Sequence, residues 1–370
     1  MRVLYFINGF DPGGAEHGLL TLVGNGFFDG QDLRVLGMCR GRGRLAEEIA
    51  EALGDGRVFI ARDEERLSLS GALAGAIALV RHLREFRPDA VILSLKQANV
   101  VGRFVLHGFP GIRCISFEHI SRYRANRAEA LYGFVLKALS RRVDEVWSDC
   151  RETLEATRGY FAGRKKHEEV IPLFCAGGGV AAKENYSLGP VLRLSAAGRL
   201  VGRKNFDRLV DAVQELNRTG TPASLTIFGD GPEEANLSVK IAKMGLAGKV
   251  VLAGYRPRWF EEARSSDIFV NVSDTEGFCI VVAEAMSVGL PVIATDVGGI
   301  REYGVHRTNM LKLGDGSVAS IVSALRDLAA DEAERRLLGS RARSDIEAGY
   351  APRAIAERGR AVFSRSATGA

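Results

Sequence analysis

The chain has 370 residues, 46% hydrophobic and 26% charged. That is enough apolar surface for two globular domains of roughly 150–200 residues, and it excludes a collagen-like, disulfide-scaffold or disordered chain. Fifty Lys and Arg against 45 Asp and Glu leave a net charge of +5, too little for a dedicated nucleic-acid binder.

Five scattered cysteines (Cys39, Cys114, Cys150, Cys175, Cys279) without C-x-x-C spacing argue for a reducing compartment and against a zinc site. Met1–Ile7 is too short for a signal h-region before Asn8-Gly9. The longest apolar stretch, Ala72–Val80, falls well short of the roughly 20 residues of a membrane span. A soluble cytoplasmic protein is the expectation.

In chain order, apolar runs at Val3–Ile7, Leu33–Cys39, Val58–Ile60, Ala90–Leu93, Cys114–Phe117, Val143–Trp147 and Val170–Pro172 predict strands. Helical periodicity falls between them at Gly14–Phe27, Arg44–Leu53, Gly71–Phe86, Arg127–Leu139 and Arg151–Phe161. Near-continuous apolar strands separated by helices mark a parallel sheet covered on both faces. Ala176-Gly-Gly-Gly-Val180 and Ser187-Leu-Gly-Pro190 are linker-like.

A second alternation follows. Its strands are Val191–Ala196, Ser224–Phe228, Val250–Ala253, Asp267–Val272, Pro291–Thr295 and Asn309–Leu313. Its helices are Asn205–Leu216, Glu233–Met244, Arg258–Ala263, Gly277–Val288 and Ser317–Ala330. Asp331–Glu347 and Pro352–Arg365 close the chain as helices. The expected architecture is α/β: two doubly wound Rossmann-like domains, 1–180 and 181–350, with the ligand cleft between them. A terminal helix, 351–370, is expected to pack back on the first domain.

The densest chemistry lies in Thr275-Glu-Gly-Phe-Cys-Ile-Val-Val-Ala-Glu284, continuing through Gly289-Leu-Pro-Val-Ile-Ala-Thr-Asp-Val-Gly-Gly299. Read as helical from Gly277, it sets Glu276 and Glu284 about 12 Å apart along the axis. That suits two contacts on one extended ligand and is too far for a retaining glycosidase pair. Glu284 stands among Ile280, Val281, Val282, Ala283, Ala285 and Met286. A carboxylate there is costly unless it is hydrogen-bonded, and ribose hydroxyls would satisfy it; the alternative is a solvated or internally paired Glu.

Gly198-Arg199-Leu-Val-Gly-Arg-Lys204-Asn205 puts cations where a strand runs into a helix, a place suited to phosphate. Phe228-Gly-Asp-Gly-Pro232 and Ala253-Gly254-Tyr255-Arg256-Pro257 are two more strand-end turns on the same side. In the first domain, Asp11-Pro-Gly13-Gly14-Ala-Glu16 opens a helix directly after a strand, where amides favour an anion. Glu118-His119 closes another strand. The basic stretch Arg122–Arg142 could attract anionic lipid headgroups or an acidic glycan, or could be a solvated helix face.

Gly177-Gly-Gly179-Val-Ala-Ala182 fits G-x-G-x-x-A, but Lys183–Pro190 does not continue as a helix, so a dinucleotide site is not expected. P-loop, G-x-S-x-G, H-E-x-x-H and D-x-D patterns are absent from the sequence, and no metal is implied.

These residues resemble glycosyltransferase family 4, retaining enzymes of the two-domain GT-B fold. The likeness is strongest in Gly198-Arg199…Lys204-Asn205, Phe228-Gly-Asp-Gly-Pro232 and Glu276–Glu284 with its GLPVIATDVGG continuation. It is weaker at Gly13-Gly14-Ala15-Glu16 and Glu118-His119.

The resemblance implies that the neighbourhood of Gly13 and Gly14 approaches the donor diphosphate. Arg199 and Lys204 would stabilise the leaving group. Glu276, with the amides of Gly277, Phe278 and Cys279, would grip the transferred sugar, and Glu284 the ribose. Gly254, Tyr255 and Arg256 would flank the base. His119, beside Glu118, would sit by the sugar. The leaving phosphate itself would take the acceptor's proton, so no protein base is required.

The donor would be a nucleotide-diphospho-sugar, with a UDP-sugar favoured over a GDP-sugar and no metal cofactor. The acceptor would be a glycan or lipid-linked saccharide, reached in the cytoplasm or at the inner face of the cell membrane. A nucleotide-sugar 2-epimerase of the same fold and a non-catalytic nucleotide-sugar binding module are the alternatives. Pro172-Leu-Phe-Cys-Ala-Gly177 departs from the family's usual Pro-Asn-Gly, and Asn309-Met-Leu-Lys-Leu313 from its Gly-Leu-Leu-Val.

Overall fold

Apolar runs without alternation become strands buried on both faces, as in Ala90–Ser94, where all five residues are buried. In a computed structural model, the residues described are 1–11, 13–119, 127–161, 167–177 and 179–365. Two units separate: Met1–Cys175 with Pro352–Ala370, and Ala176–Ala351.

The first unit runs β1 (Arg2–Ile7), α1 (Gly14–Gly24), β2 (Asp32–Gly37), α2 (Leu45–Leu53), β3 (Val58–Ile60), α3 (Leu69–Glu85) and β4 (Ala90–Ser94). It continues with α4 (Lys96–Leu106), β5 (Arg113–Glu118), α5 (Arg127–Ala138), β6 (Glu145–Ser148), α6 (Arg151–Thr157) and β7 (His167–Val170). All pairings are parallel, in the order β3-β2-β1-β4-β5-β6-β7.

Helix α4 escapes the apolar pattern for a physical reason. Its buried face carries Asn99 and Arg103 as well as Ala98, Gly102 and Leu106. Arg103, fully buried, donates to Glu118 (3.0 Å), Ser116 (2.6 Å), Asn99 (3.2 Å) and the Leu136 carbonyl (2.9 Å). A charge inside is tolerated because it is paired and hydrogen-bonded, but it hides the helical period.

The second unit runs β8 (Leu192–Ala197), α7 (Phe206–Arg218), β9 (Ala223–Phe228), α8 (Glu234–Lys243), β10 (Val250–Gly254) and α9 (Trp259–Ala263). Then come β11 (Ile268–Asn271), α10 (Ile280–Ser287), β12 (Val292–Thr295), α11 (Ile300–Tyr303), β13 (Leu311–Leu313), α12 (Val318–Ala330) and α13 (Glu332–Gly349). Its strands pair in parallel in the order β10-β9-β8-β11-β12-β13. The Asp331 side chain accepts from the Glu334 amide at 2.9 Å, capping α13 where α12 stops. Strand order reverses between β8 and β11, the switch point at whose carboxyl end α/β sheets bind ligands.

The last helix, α14 (Pro352–Arg365), belongs to the first unit. Phe363 packs its ring 5.7 Å from Phe27, 5.8 Å from Phe28 and 6.0 Å from Trp147. Gly359 lies against the Phe27 carbonyl, where a Cβ would collide. Among the described residues no helix is long and apolar enough to cross a membrane.

Phe363→Ala empties that aromatic cluster. It should lower the first unit's stability by about 3–5 kcal/mol, read as an earlier urea transition. Arg353→Ala on the same helix, which breaks an exposed pair with Glu357, should leave the transition where it is.

Candidate active site

Three strand-end turns of the second unit lock together through their backbones. The Gly198 amide donates to the Phe228 carbonyl (2.9 Å), and the Gly229 amide to the Gly254 carbonyl (2.8 Å). The Leu200 amide donates to Asp230 (2.7 Å). Gly229, at φ 130°, touches Gly198 so closely that a Cβ would run into the Gly198 carbonyl. A larger residue would push the turns apart.

The β8–α7 turn is also tied to the loop after β11. Asn205, left-handed at φ 52°, donates to the Val272 carbonyl (2.9 Å) and to Asp274 (2.8 Å). Asn is among the few residues that adopt this conformation readily. The Asp274 amide donates to the Arg203 carbonyl at 2.9 Å, and Arg203 to the Thr275 carbonyl at 3.1 Å.

Across this junction Lys204 Nζ donates to Glu276 Oε1 at 2.5 Å, with both side chains buried. Arg203 lies 3.8 Å from the second carboxylate oxygen. Burial would raise the Glu276 carboxyl. Lys204, by charge and hydrogen bond, and Arg203 more remotely, outweigh that and hold it below the usual carboxylate range. Arg199, exposed on the same turn, has no ion-pair partner among the described residues.

Helix α10 starts at Ile280, not at Gly277. Cys279 adopts φ 64°, outside the helical region, so Glu276 stands in the loop before the helix and the axial spacing of two helical carboxylates does not apply. The Gly298-Gly299 turn supports that loop from behind: the Gly299 amide donates to the Gly277 carbonyl at 2.7 Å. The amides of Gly277 and Cys279 have no acceptor among the described residues. The Phe278 ring is buried, tilted against Tyr303 and edge-on to Tyr350 with centroids 5.2 Å away in each case, and the buried Cys279 thiol is raised well above its ordinary pKa by burial.

Glu284 has a protein partner that sequence reasoning missed. Trp259, at the start of α9, donates its indole N–H to Glu284 Oε2 at 2.8 Å. Trp259 is held by Phe228 (5.7 Å) and Phe269 (5.2 Å). The available signal was a tryptophan opening a helix just beyond the Gly254 turn. Burial raises the Glu284 carboxyl to about 7 despite that hydrogen bond. On the turn itself Gly254 takes φ 71°, Tyr255 is 41% exposed, and Arg256 is exposed.

In the first unit, Gly13 caps α1 and Gly14 is its first residue, at the carboxyl end of β1. Glu118 is engaged inward with Arg103 and Ser116. His119 Nε2 lies 2.9 Å from Ser94 Oγ and Nδ1 lies 4.0 Å from Asp149. Burial lowers His119 to about 3, so the imidazole is neutral and this contact is no ion pair.

Of the basic stretch Arg122–Arg142, Arg122 and Arg124 lie outside the described residues. Lys137 and Arg141 are exposed. Arg142 is buried, bonding the Leu106 and Phe109 carbonyls (2.7 and 3.1 Å) and Asp144 (2.9 Å), and so takes no part in a basic surface.

Residues 192–345 match the family model described as glycosyl transferases group 1. The match lies wholly within the second unit. Arg199, Lys204, Gly254–Arg256, Glu276–Cys279 and Glu284 fall inside the match; Gly13, Gly14, Glu118 and His119 fall outside it.

The amylovoran biosynthesis glycosyltransferase AmsK of Erwinia amylovora is 31% identical over 167 residues, 42% of this chain and 40% of its own. The lipopolysaccharide core biosynthesis glycosyltransferase LpsE of Rhizobium meliloti (strain 1021) is 28% identical over 200 residues, 53% of this chain and 57% of its own. The chain thus spans between two and three fifths of the length of these relatives. Anabaena Alr3699/HepE, solved in complex with UDP-glucose, superposes at a TM-score of 0.80 with 19% identity over 99% of this chain and 100% of its own. Two parallel-sheet Rossmann-like domains, as in GT-B glycosyltransferases, are therefore the fold.

Within the second unit, Glu284 makes stability depend on pH. Its folded pKa of about 7 lies above the ordinary 4.5, so the folded state binds the proton more tightly than the unfolded one. Stability should fall by about 2–3 kcal/mol as pH rises through that window. Glu284→Gln keeps an acceptor for Trp259 and should flatten the fall, measured as melting temperature between pH 5 and pH 8.

Proposed function

We propose that the protein is a retaining glycosyltransferase that moves a hexosyl group from a nucleotide-diphospho-sugar to a glycan or lipid-linked saccharide, without a metal ion. The observation that carries the reading is the buried Lys204–Glu276 pair at the switch point of a group 1 domain, with Arg199 exposed beside it. A charge pair is costly to bury and is weak as a source of stability. Its place at the carboxyl edge, where this sheet type binds ligands, gives it a use.

An ammonium has three N–H donors. Lys204 directs one at Glu276 and keeps others for phosphoryl oxygens of the leaving diphosphate. Arg199 adds a planar guanidinium suited to two oxygens at once. Both cations oppose the negative charge that grows on the leaving group, which is where stabilisation accelerates the step. Glu276, ionised and held rigid by Lys204, accepts from hydroxyls of the transferred sugar. Amides of the loop that precedes α10 would share that task. In a same-face substitution the departing phosphate takes the acceptor's proton, so the site needs no side-chain base.

Glu284 would accept from the ribose hydroxyls, and the Gly254–Arg256 turn would border the base. Relatives named for polysaccharide and lipopolysaccharide core biosynthesis support a glycan acceptor, and the HepE complex with UDP-glucose supports a UDP-sugar.

Calorimetry with UDP and GDP, in chelator and without added metal, tests the donor. UDP should bind more tightly than GDP, and Glu284→Ala should weaken it at least about tenfold through the lost hydrogen bonds. Ribose hydroxyls favour the ionised carboxylate, so binding near pH 6.5 should release a proton, seen as a buffer-dependent heat that Glu284→Gln abolishes. No binding of either nucleotide would end the donor assignment. Glu276→Ala should lower turnover about a hundredfold with a smaller change in donor affinity, because its value lies in positioning. Turnover equal to the parent's would remove Glu276 from the mechanism.

A further inference from the structure

Twelve large hydrophobic side chains are exposed among the described residues, and six of them lie on three neighbouring helices of the first unit. Leu69, Leu73 and Ile77, at 93%, 64% and 64% exposure, form one line at four-residue spacing along α3. Phe104 on α4 is 71% exposed; Leu131 and Phe134 on α5 are 63% and 70% exposed. Helix α3 packs against α4, and α4 against α5, so the six side chains stand on one layer. Scattered singly they would need no account; grouped on adjacent helices they mark an interaction surface.

The unpaired charges beside this face are mostly basic. Arg66, Arg84, Arg87, Lys137 and Arg141 are exposed and have no ion-pair partner among the described residues. Of the acids nearby, Glu85 is already paired with Arg81 and Asp144 with Arg142, which leaves Glu65 and Asp89 exposed, Asp89 accepting from the Arg2 amide at 2.7 Å. Arg66 precedes α3, but the other four cations have a common place. Each crossover helix runs antiparallel to the parallel strands, so the carboxyl ends of α3, α4 and α5 lie at one edge of the sheet. Beyond Ile77 the α3 face continues to Arg84, and beyond Phe134 the α5 face continues to Lys137 and Arg141. An apolar band is thereby bordered by a basic one.

We propose that the outer face of α3, α4 and α5 docks on a bilayer containing anionic phospholipid. The aliphatic and aromatic side chains enter the headgroup–acyl boundary, and the border cations meet the lipid phosphates. A second copy docked face to face would set unpaired cations against cations, which disfavours self-association. The inference uses the surface of the first unit alone and stands apart from the donor assignment.

Vesicle flotation tests it, comparing phosphatidylcholine alone with phosphatidylcholine containing about 30% phosphatidylglycerol. The protein should partition at least tenfold more strongly onto the anionic vesicles. The triple variant Leu73→Glu, Ile77→Glu, Phe134→Glu should lose that binding. Arg84→Ser, Lys137→Ser and Arg141→Ser should each weaken it about fivefold. Unchanged melting temperatures verify that the variants are folded. Should the triple variant misfold, Leu73→Glu and Phe134→Glu alone replace it. Absence of flotation on anionic vesicles, or equal flotation of the glutamate variants, would overturn the proposal. So would a parent that is a dimer made monomeric by the glutamates while vesicle binding persists.

Discussion

The hydrogen-bonded charge pair Lys204–Glu276 closes the junction on which the proposed donor site depends. It joins the loop after β8 to the loop after β11, the two strands at which the sheet changes direction. Asn205, Arg203 and Asp274 repeat the connection through backbone and side-chain hydrogen bonds. Five ties between two loops leave little freedom for either carboxylate or ammonium. Such fixity is what a site gains when its groups must be placed within a fraction of an ångström. The glycines behind it serve the same end: the Gly229–Gly198 approach and the Gly298-Gly299 turn let loops pack where any side chain would hold them apart.

How much of this was legible in the sequence depends on what hides a signal. Most strands of both sheets were readable from their apolar runs; β7, His-Glu-Glu-Val at residues 167–170, was not, and the apolar run Val170–Pro172 read in its place overlaps it only at Val170. The second domain's turns were readable because glycine and cations punctuate them. Helix α4 was not, since Asn99 and Arg103 occupy positions where periodicity expects apolar residues. The onset of α10 was misread because Cys279 is left-handed, and nothing about a cysteine announces a positive φ.

Trp259 was missed for a different reason. Its partner Glu284 lies 25 positions away, and only the packing of α9 on α10 brings them together. In the first unit, Glu118 and His119 close a strand as the sequence implied. Yet Glu118 bonds the core arginine, and His119 lies between Ser94 and Asp149. A charged or titratable residue at a strand end is visible in a sequence; the direction its side chain takes is not.

The two glutamates of one motif make the same point in electrostatic form. Both stand in apolar surroundings, eight residues apart, and burial alone would raise both. Glu276 meets an ammonium and is pushed below its ordinary range, whereas Glu284 meets only an indole N–H and is raised to about 7. A full positive charge outweighs desolvation; a neutral donor only trims it. One glutamate is therefore held ionised across the neutral range, while the other titrates near neutrality. Chemically equal letters acquire distinct roles through their partners, Lys204 in one case and Trp259 in the other. A motif can name its carboxylates, but the charge each one carries is set by the fold around it.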